Sequence, residues 1–240
     1  MKNFALLILI SLVISSCENE VILTFSETNF TKDDNAIIEI NIPNADGTTD
    51  VSKNINSTIE NFIVNAISFN EDSNINISLN EVVNKFDSIY IEFKEDFEEN
   101  SLIWEALIDS EVTYQSPEIT CIAINTYLNT GGAHGNMNIS FLNFNSQTGE
   151  ILQLEDYIKN HKDFLKLAEK HFNLEIEEES DEGSFNDYFF GDDFKLPENI
   201  GFSDEGIILL YNVYEIAPYS EGITQFTIQF EEVLKYIKIN

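Results

Sequence analysis

Residues 104–114 read Trp104-Glu105-Ala106-Leu107-Ile108-Asp109-Ser110-Glu111-Val112-Thr113-Tyr114. Trp104, Ala106, Ile108, Val112 and Tyr114 alternate with Glu105, Asp109, Glu111 and Thr113. Period two marks a strand with one face in a core and the other in water. The triplet Gln115-Ser116-Pro117 then turns the chain into a second strand-like run, residues 119–127. A glycine-rich turn follows, and residues 138–145 return with Ile139, Phe141 and Phe144 apolar. Asn145-Ser146-Gln147-Thr148-Gly149 closes the run with turn chemistry. Connections this short cannot make parallel crossovers, so these three strands are expected side by side and antiparallel.

Upstream the period is helical. From about residue 51, Ile55, Ile59, Phe62, Ile63, Ala66 and Ile67 keep the spacing of one helix face. A second helix opens on the capping box Ser78-Leu79-Asn80-Glu81. Its buried stripe is Val82, Val83, Phe86, Ile89, Tyr90, Phe93 and Phe97. Before both helices, residues 36–42 read as a strand ending in the turn Pro43-Asn44-Ala45-Asp46-Gly47.

Downstream, residues 154–172 are helical with a break near Asn160, and Leu165, Leu167, Ala168 and Phe172 supply apolar contacts. Residues 175–198 form an acidic, aromatic-bearing stretch that reads as a long surface loop. A hairpin follows, 200–203 and 207–213 around Asp204-Glu205-Gly206. Then come a bend at 214–222, a strand at 224–230 and a short helix at 231–237. Runs of strands separated by runs of helices define an α+β fold, with antiparallel sheets and flanking helices. Two intimately packed subdomains are expected: 36–150, ending in the glycine-rich hairpin, and 151–240. Residues 17–35 read as a tether with one strand at 21–26.

The start of the chain reads as an address. Lys2 is the only charge before Glu18, and residues 4–14 are apolar apart from Ser11. That run is shorter than the roughly 20 residues a spanning helix needs and fits the apolar region of an export signal at 1–16. It ends Val13-Ile14-Ser15-Ser16-Cys17, which resembles the bacterial lipobox. Cys17 is therefore expected to become the diacylglycerol-bearing N-terminus, and an ordinary signal peptide with a chance cysteine is the alternative. The membrane is then met through the lipid anchor only, in either leaflet. With Cys17 acylated, Cys121 has no disulfide partner. In Ile119-Thr120-Cys121-Ile122-Ala123-Ile124 it reads as a small buried hydrophobe, since no basic neighbour in sequence lowers its pKa.

Composition narrows the partners. The 240 residues hold 12 basic side chains, all lysine, against 43 acidic ones, for a net charge of −31. A chain this acidic repels phosphate backbones and anionic bilayers, so nucleic acid is excluded as a partner. Hydrophobic residues at 43% and aromatics at 12% are enough for a folded core, which excludes a disordered acidic tail. Outside the cell such a charge attracts cationic partners.

No motif specifies a cofactor. The three histidines include no His-Glu-x-x-His spacing, and His161 and His171 fall nearly a quarter turn apart on a helix, so no metal site is expected. Asp192-Asp193 and Glu177-Glu178-Glu179 lack the alternating ligand spacing of a calcium loop and read as solvated surface. No Gly-x-Ser-x-Gly elbow or Walker loop occurs.

Two stretches remain. The first is Tyr127-Leu128-Asn129-Thr130-Gly131-Gly132-Ala133-His134-Gly135-Asn136, followed by Phe144-Asn145-Ser146-Gln147-Thr148-Gly149 and Leu154-Glu155-Asp156. The second is Asp204-Glu205-Gly206, then Tyr214-Glu215-Ile216-Ala217-Pro218-Tyr219-Ser220-Glu221-Gly222. Gly131, Gly132 and Gly135 permit positive φ and read first as a hairpin turn. They also place backbone amides and His134 at a loop tip, where binding groups are carried. Pro218 and Gly222 set a bend that Tyr214 and Tyr219 pack over, and tyrosine is equally a contact residue of low entropic cost.

In this order and separation the two stretches resemble a bacterial extracytoplasmic domain family. It forms the outer part of the lysozyme-sensing anti-sigma factor RsiV and precedes the catalytic domain of the peptidoglycan deacetylase PdaC. The likeness spans roughly residues 36–237. The chain carries no anti-sigma segment and no separate metal-dependent deacetylase domain, so only the outer module is implied. That resemblance implies an envelope protein binding a lysozyme-like muramidase or wall glycan, through Tyr127, Gly131, Gly132, Ala133, His134, Gly135, Asn136, Tyr214, Pro218, Tyr219 and Gly222. The alternatives are a glycan hydrolase or deacetylase using His134 with nearby carboxylates, and a purely structural envelope component.

Overall fold

The computed structural model describes residues 22–69, 77–97, 102–179 and 188–238. Among these described residues, eight strands and five α-helices are arranged as two sheets with helices packed on them. Strands β1 (Phe25–Lys32), β2 (Ile37–Ala45), β3 (Glu105–Gln115), β4 (Ile119–Asn129) and β5 (Asn136–Asn145) form one sheet in that spatial order. The α+β class is as the sequence predicts, and so is the antiparallel meander β3-β4-β5. β2 and β3, by contrast, run parallel, with Ile38 opposite Ala106 and Ile40 opposite Ile108. Their connection carries both helices, α1 (Asp50–Ile67) and α2 (Leu79–Asp96), a crossover long enough to return the chain in the same direction.

Both helices start where side chains satisfy their free N–H groups. Thr49 Oγ1 accepts from Ser52 N at 3.2 Å. Ser78 and Glu81 make the reciprocal box, and the Glu81 carboxyl falls below its ordinary pKa because the Ser78 backbone N–H donates to it. The helices lay Ile55, Ile59, Ile63, Val82, Val83, Phe86 and Tyr90 on one face of the sheet, against Ile38, Ile40, Ala106, Ile108, Ile122 and Ile124. Each fully buried aliphatic side chain there contributes about 1.5–3 kcal/mol.

The strand expected at 21–26 instead occupies Phe25–Lys32 and is hydrogen-bonded along its length to β2. Residues 25–32 are therefore part of the sheet rather than a tether. Its anchor is Asp87 of α2, a buried carboxylate that accepts from Ala36 N at 3.0 Å and Asn35 Nδ2 at 3.1 Å and pairs with Lys32 at 3.4 Å.

The second core lies across the other face of β4, where Ile119 and Cys121 point. It is built by α3 (Leu154–Tyr157), α4 (His161–Glu179), the antiparallel sheet β6 (Asn199–Phe202), β7 (Gly206–Tyr211) and β8 (Thr224–Gln229), and α5 (Phe230–Val233). The break at Asn160 is present between α3 and α4. α4 runs on to Glu179, so the first residues of the expected 175–198 loop are helical. Phe164, Ala168 and Phe172 of α4 share this core with Ile207, Leu209 and Tyr211 of β7, and the Phe172 ring meets Tyr211 of β7 and Phe226 of β8. The two sheets meet where Phe141 of β5 lies over Gly201 of β6, so closely that a Cβ there would come within 2.3 Å of the ring. Asn143 Nδ2 donates to Ile200 O at 2.7 Å beside that contact.

Candidate functional site

β4 and β5 project the glycine-rich turn beyond the sheet. Gly131 takes φ 85°, which a side chain would resist, and its N–H donates to Asn129 Oδ1 at 3.2 Å. Gly132, Ala133 and His134 stand exposed on the crest. Tyr127 lies against Gly135: a Cβ on that glycine would fall 2.4 Å from the tyrosine ring. Asn136 begins β5 opposite Leu128.

The second stretch leaves β7 and bends back over the same end of the sheet. Tyr214 adopts φ 68°, the left-handed region that bulky residues avoid. Ile216 and Ala217 are buried and hold the bend to the second core. Pro218 leads into the 3-10 turn Tyr219–Glu221, and Gly222 closes it at φ 74°.

The two stretches meet through their rings. The His134 imidazole stacks on Tyr219 with centroids 4.1 Å apart and planes 20° apart. Tyr219 in turn packs against Tyr214 at 5.6 Å and 37°. Tyr214 and Tyr219 nevertheless remain 56% and 41% exposed, so the row presents its rings to solvent. His134 Nδ1 lies 3.0 Å from Gly135 O, a contact in which the ring nitrogen donates to the carbonyl.

A polar frame holds this row in register, and sequence reasoning missed it. Asn212 makes a two-way bond to β5: Ile139 N donates to its Oδ1 and its Nδ2 donates to Ile139 O, each at 2.9 Å. Glu215 accepts from Asn212 N and Glu198 N, both at 2.9 Å. Burial raises the Glu215 carboxyl pKa, and the nearby Glu198 charge adds to this, against the two backbone N–H donors that lower it. Phe189 N donates to Ile216 O at 2.6 Å. That contact braces the bend with a segment in which Phe189 and Phe190 take φ 58° and 52°. Phe190 is 66% exposed. Asn212 sits 73 residues from its partner, which no local pattern reveals.

Among the other candidates, Cys121 is fully buried, accepts from Phe202 N at 3.3 Å, and burial pushes its thiol up to about 11. Cys17 lies outside the described residues, as do the side chains of Glu177, Glu178 and Glu179. Among the described residues no three His, Cys, Asp or Glu side chains gather as metal ligands. His171 pairs instead with Glu232 at 3.3 Å, and Asp192 and Asp193 are exposed. No described carboxylate bonds to His134.

Comparison with known proteins places this architecture. Residues 144–231 match the family model described as "Protein of unknown function (DUF3298)", and residues 30–137 match that described as "Deacetylase PdaC". A DUF3298-family crystal structure from Bacteroides fragilis superposes with TM-score 0.68 at 21% identity, covering 93% of this chain and 96% of that one. A DUF3298-family structure from Pseudomonas aeruginosa gives TM-score 0.62 at 19% identity, with 91% and 96% covered. No curated protein matches the chain. The class is thus an α+β protein with the fold of the DUF3298 structures. The PdaC-like match supports a cell-envelope protein outside the cytoplasm. No described helix is long and apolar enough to cross a membrane.

Proposed function

We propose that this chain is a lipid-anchored envelope binding protein, tethered through Cys17, whose two-loop surface recognises a basic, lysozyme-like muramidase as inhibitor, decoy or sensor. The observation that carries the reading is the His134–Tyr219 stack. It fuses two stretches far apart in sequence into one exposed patch of rings and backbone. Rigid aromatic side chains with a polar edge are the favoured anchors of protein interfaces. The net charge of −31 supplies long-range attraction for a cationic partner. The resemblance to the outer part of RsiV points the same way. A hydrolase or deacetylase using His134 draws less support, because the imidazole is engaged by Tyr219 and the Gly135 carbonyl rather than by a carboxylate.

The test is a calorimetric titration of the domain from residue 22 onward with a basic lysozyme at low and at moderate salt. Binding that weakens with salt and falls at least tenfold in Tyr219→Ala is expected. No heat at either salt removes the proposal. Mass spectrometry of membrane-extracted protein tests the anchor separately: a diacylglycerol adduct on Cys17, absent in Cys17→Ala, is expected.

A further inference from the structure

Among the described residues, two buried side-chain polar atoms have no hydrogen-bond partner, Trp104 Nε1 and Asn143 Oδ1. Asn143 lines a cleft of about 390 Å³ between β5, the start of α3 and the segment leading into β6. That volume lies in the range of small-molecule sites. None of the rings of the His134–Tyr219 row lines it. We infer that this cleft is a second binding site, independent of the muramidase reading, which takes a primary ammonium group on an aliphatic stem.

The polar floor offers acceptors. Asn143 is 5% exposed, and its Nδ2 donates to Ile200 O at 2.7 Å. A carbonyl accepts only from the NH2 end of an amide, so this bond fixes which way the side chain is turned and leaves Oδ1 over. A buried acceptor without a donor destabilises the fold, and a ligand N–H bonded to it removes that penalty. Tyr157 lines the same cleft and is 2% exposed, and its hydroxyl makes no hydrogen bond among the described residues. Burial raises the Tyr157 pKa, and the nearby Cys121, Glu155 and Asp156 add to this. The phenol therefore stays neutral at pH 7, with its oxygen free to accept.

The remaining lining selects a cation with an apolar stem. The two charged residues of the lining, Glu155 and Glu198, are both acidic and both exposed. Lys238 donates to the Glu155 backbone carbonyl and pairs with neither carboxylate. Phe141, Leu142, Ile151, Leu152 and Leu154 supply apolar wall. An alkylammonium is charged at pH 7 and brings three donors and no acceptor, which matches a floor of acceptors behind acidic flanks. Its bonds to neutral oxygens are charge-assisted and so stronger than those of a hydroxyl or an amide. The frame is already rigid, because Phe141 sits hard against Gly201 and ties β5 to β6.

The same ammonium is carried by a free alkylamine and by a lysine side chain, so two probes are titrated into the domain from residue 22 onward: 1-pentylamine and Nα-acetyl-lysine-N-methylamide. Chemical shifts of the Asn143 side-chain NH2 and of the Leu152 and Leu154 amides follow binding. Saturable shifts there below about 20 mM are expected for at least one probe. Binding of the lysine derivative alone assigns the site to peptides, and binding of pentylamine assigns it to small amines. The uncharged counterparts, 1-pentanol and the Nε-acetyl derivative, should bind at least tenfold more weakly. Tyr157→Phe removes an oxygen that bonds nothing in the fold, so its thermal midpoint should match wild type while its amine affinity falls at least threefold. Asn143→Ala should abolish binding, and Tyr157→Phe carries the test if that variant fails to fold. No saturation by either amine overturns the inference. So does pentanol binding as tightly as pentylamine. Shifts scattered over the acidic surface and unaffected by Tyr157→Phe also overturn it, because they report general charge attraction. A domain that saturates with an amine but does not bind lysozyme keeps this site and loses the muramidase reading.

Discussion

Tyr214 is the residue whose sequence context says least about its state. A tyrosine after Asn212-Val213 carries no signal of a left-handed backbone, and the φ of 68° is imposed by partners far along the chain. Replacing it with glycine relieves roughly 1–2 kcal/mol of backbone strain. Thermal denaturation of Tyr214→Gly should therefore show a higher midpoint than wild type. Asp87 was equally hidden. It lies outside the apolar stripe of α2, yet it binds the β1–β2 connection to that helix. Burial pushes its carboxyl up, but the bonds from Ala36 and Asn35 and the Lys32 charge outweigh this and hold it below the usual range. A depressed folded pKa contributes stability above the unfolded value, about 4, and loses it as pH falls through the folded one. Asp87→Asn should thus cost about 1–3 kcal/mol at pH 7. The gap from wild type should close in urea titrations run below pH 4. The motif residues His134, Tyr214 and Tyr219 were legible as candidates. That their rings touch was not, because nothing in one linear sequence measures the distance between two loops.

Elements were legible in proportion to how local their causes are. α2 announced its first turn through Ser78 and Glu81, and β3 through its alternation. β1 did not, because an edge strand with Ser26, Glu27, Thr28 and Asn29 exposed has little apolar pattern to read. Its place is set by the ladder to β2 instead, and the apolar run just before it drew the expected strand four residues early. The parallel pairing of β2 with β3 was missed for a related reason: direction depends on where the intervening helices return the chain. The turn after β5 shows how tightly that return is fitted. Gly149 sits at φ 72°, and a Cβ on it would lie 2.5 Å from Val51 O at the start of α1. Asn54 Nδ2 also donates to Thr148 O at 3.0 Å there. Gly149→Ala should destabilise by about 2 kcal/mol, combining backbone strain with overpacking. A chemical denaturation midpoint checks this, and an unchanged midpoint would mean that α1 can shift away freely.

On the scale of the molecule, charge and burial make separate predictions. The excess of carboxylates should make the proposed association with a basic lysozyme salt-dependent mainly in its on-rate, falling by at least tenfold between 10 and 150 mM salt as screening shortens the field. Stopped-flow mixing reads this, and a salt-independent on-rate would sink the steering argument. Cys121 is buried at the junction of the two cores, with its thiol raised to about 11. In the domain from residue 22 onward it should react with a thiol reagent only as fast as the protein globally opens.

β4 belongs to both halves at once. Ile122 and Ile124 enter the core beneath α1 and α2, while Ile119 and Cys121 enter the core beneath α4. The seam between the two family matches, residues 137 to 144, falls inside its neighbour β5. Either fragment cut at that seam would keep a strand stripped of its hydrogen-bonding mate and a raw apolar flank, and would be drawn into aggregates. The intact chain should accordingly melt in a single step, with calorimetric and van't Hoff enthalpies in agreement. Evolution has no easy way to trade one half for another here, because the plank they stand on is common property.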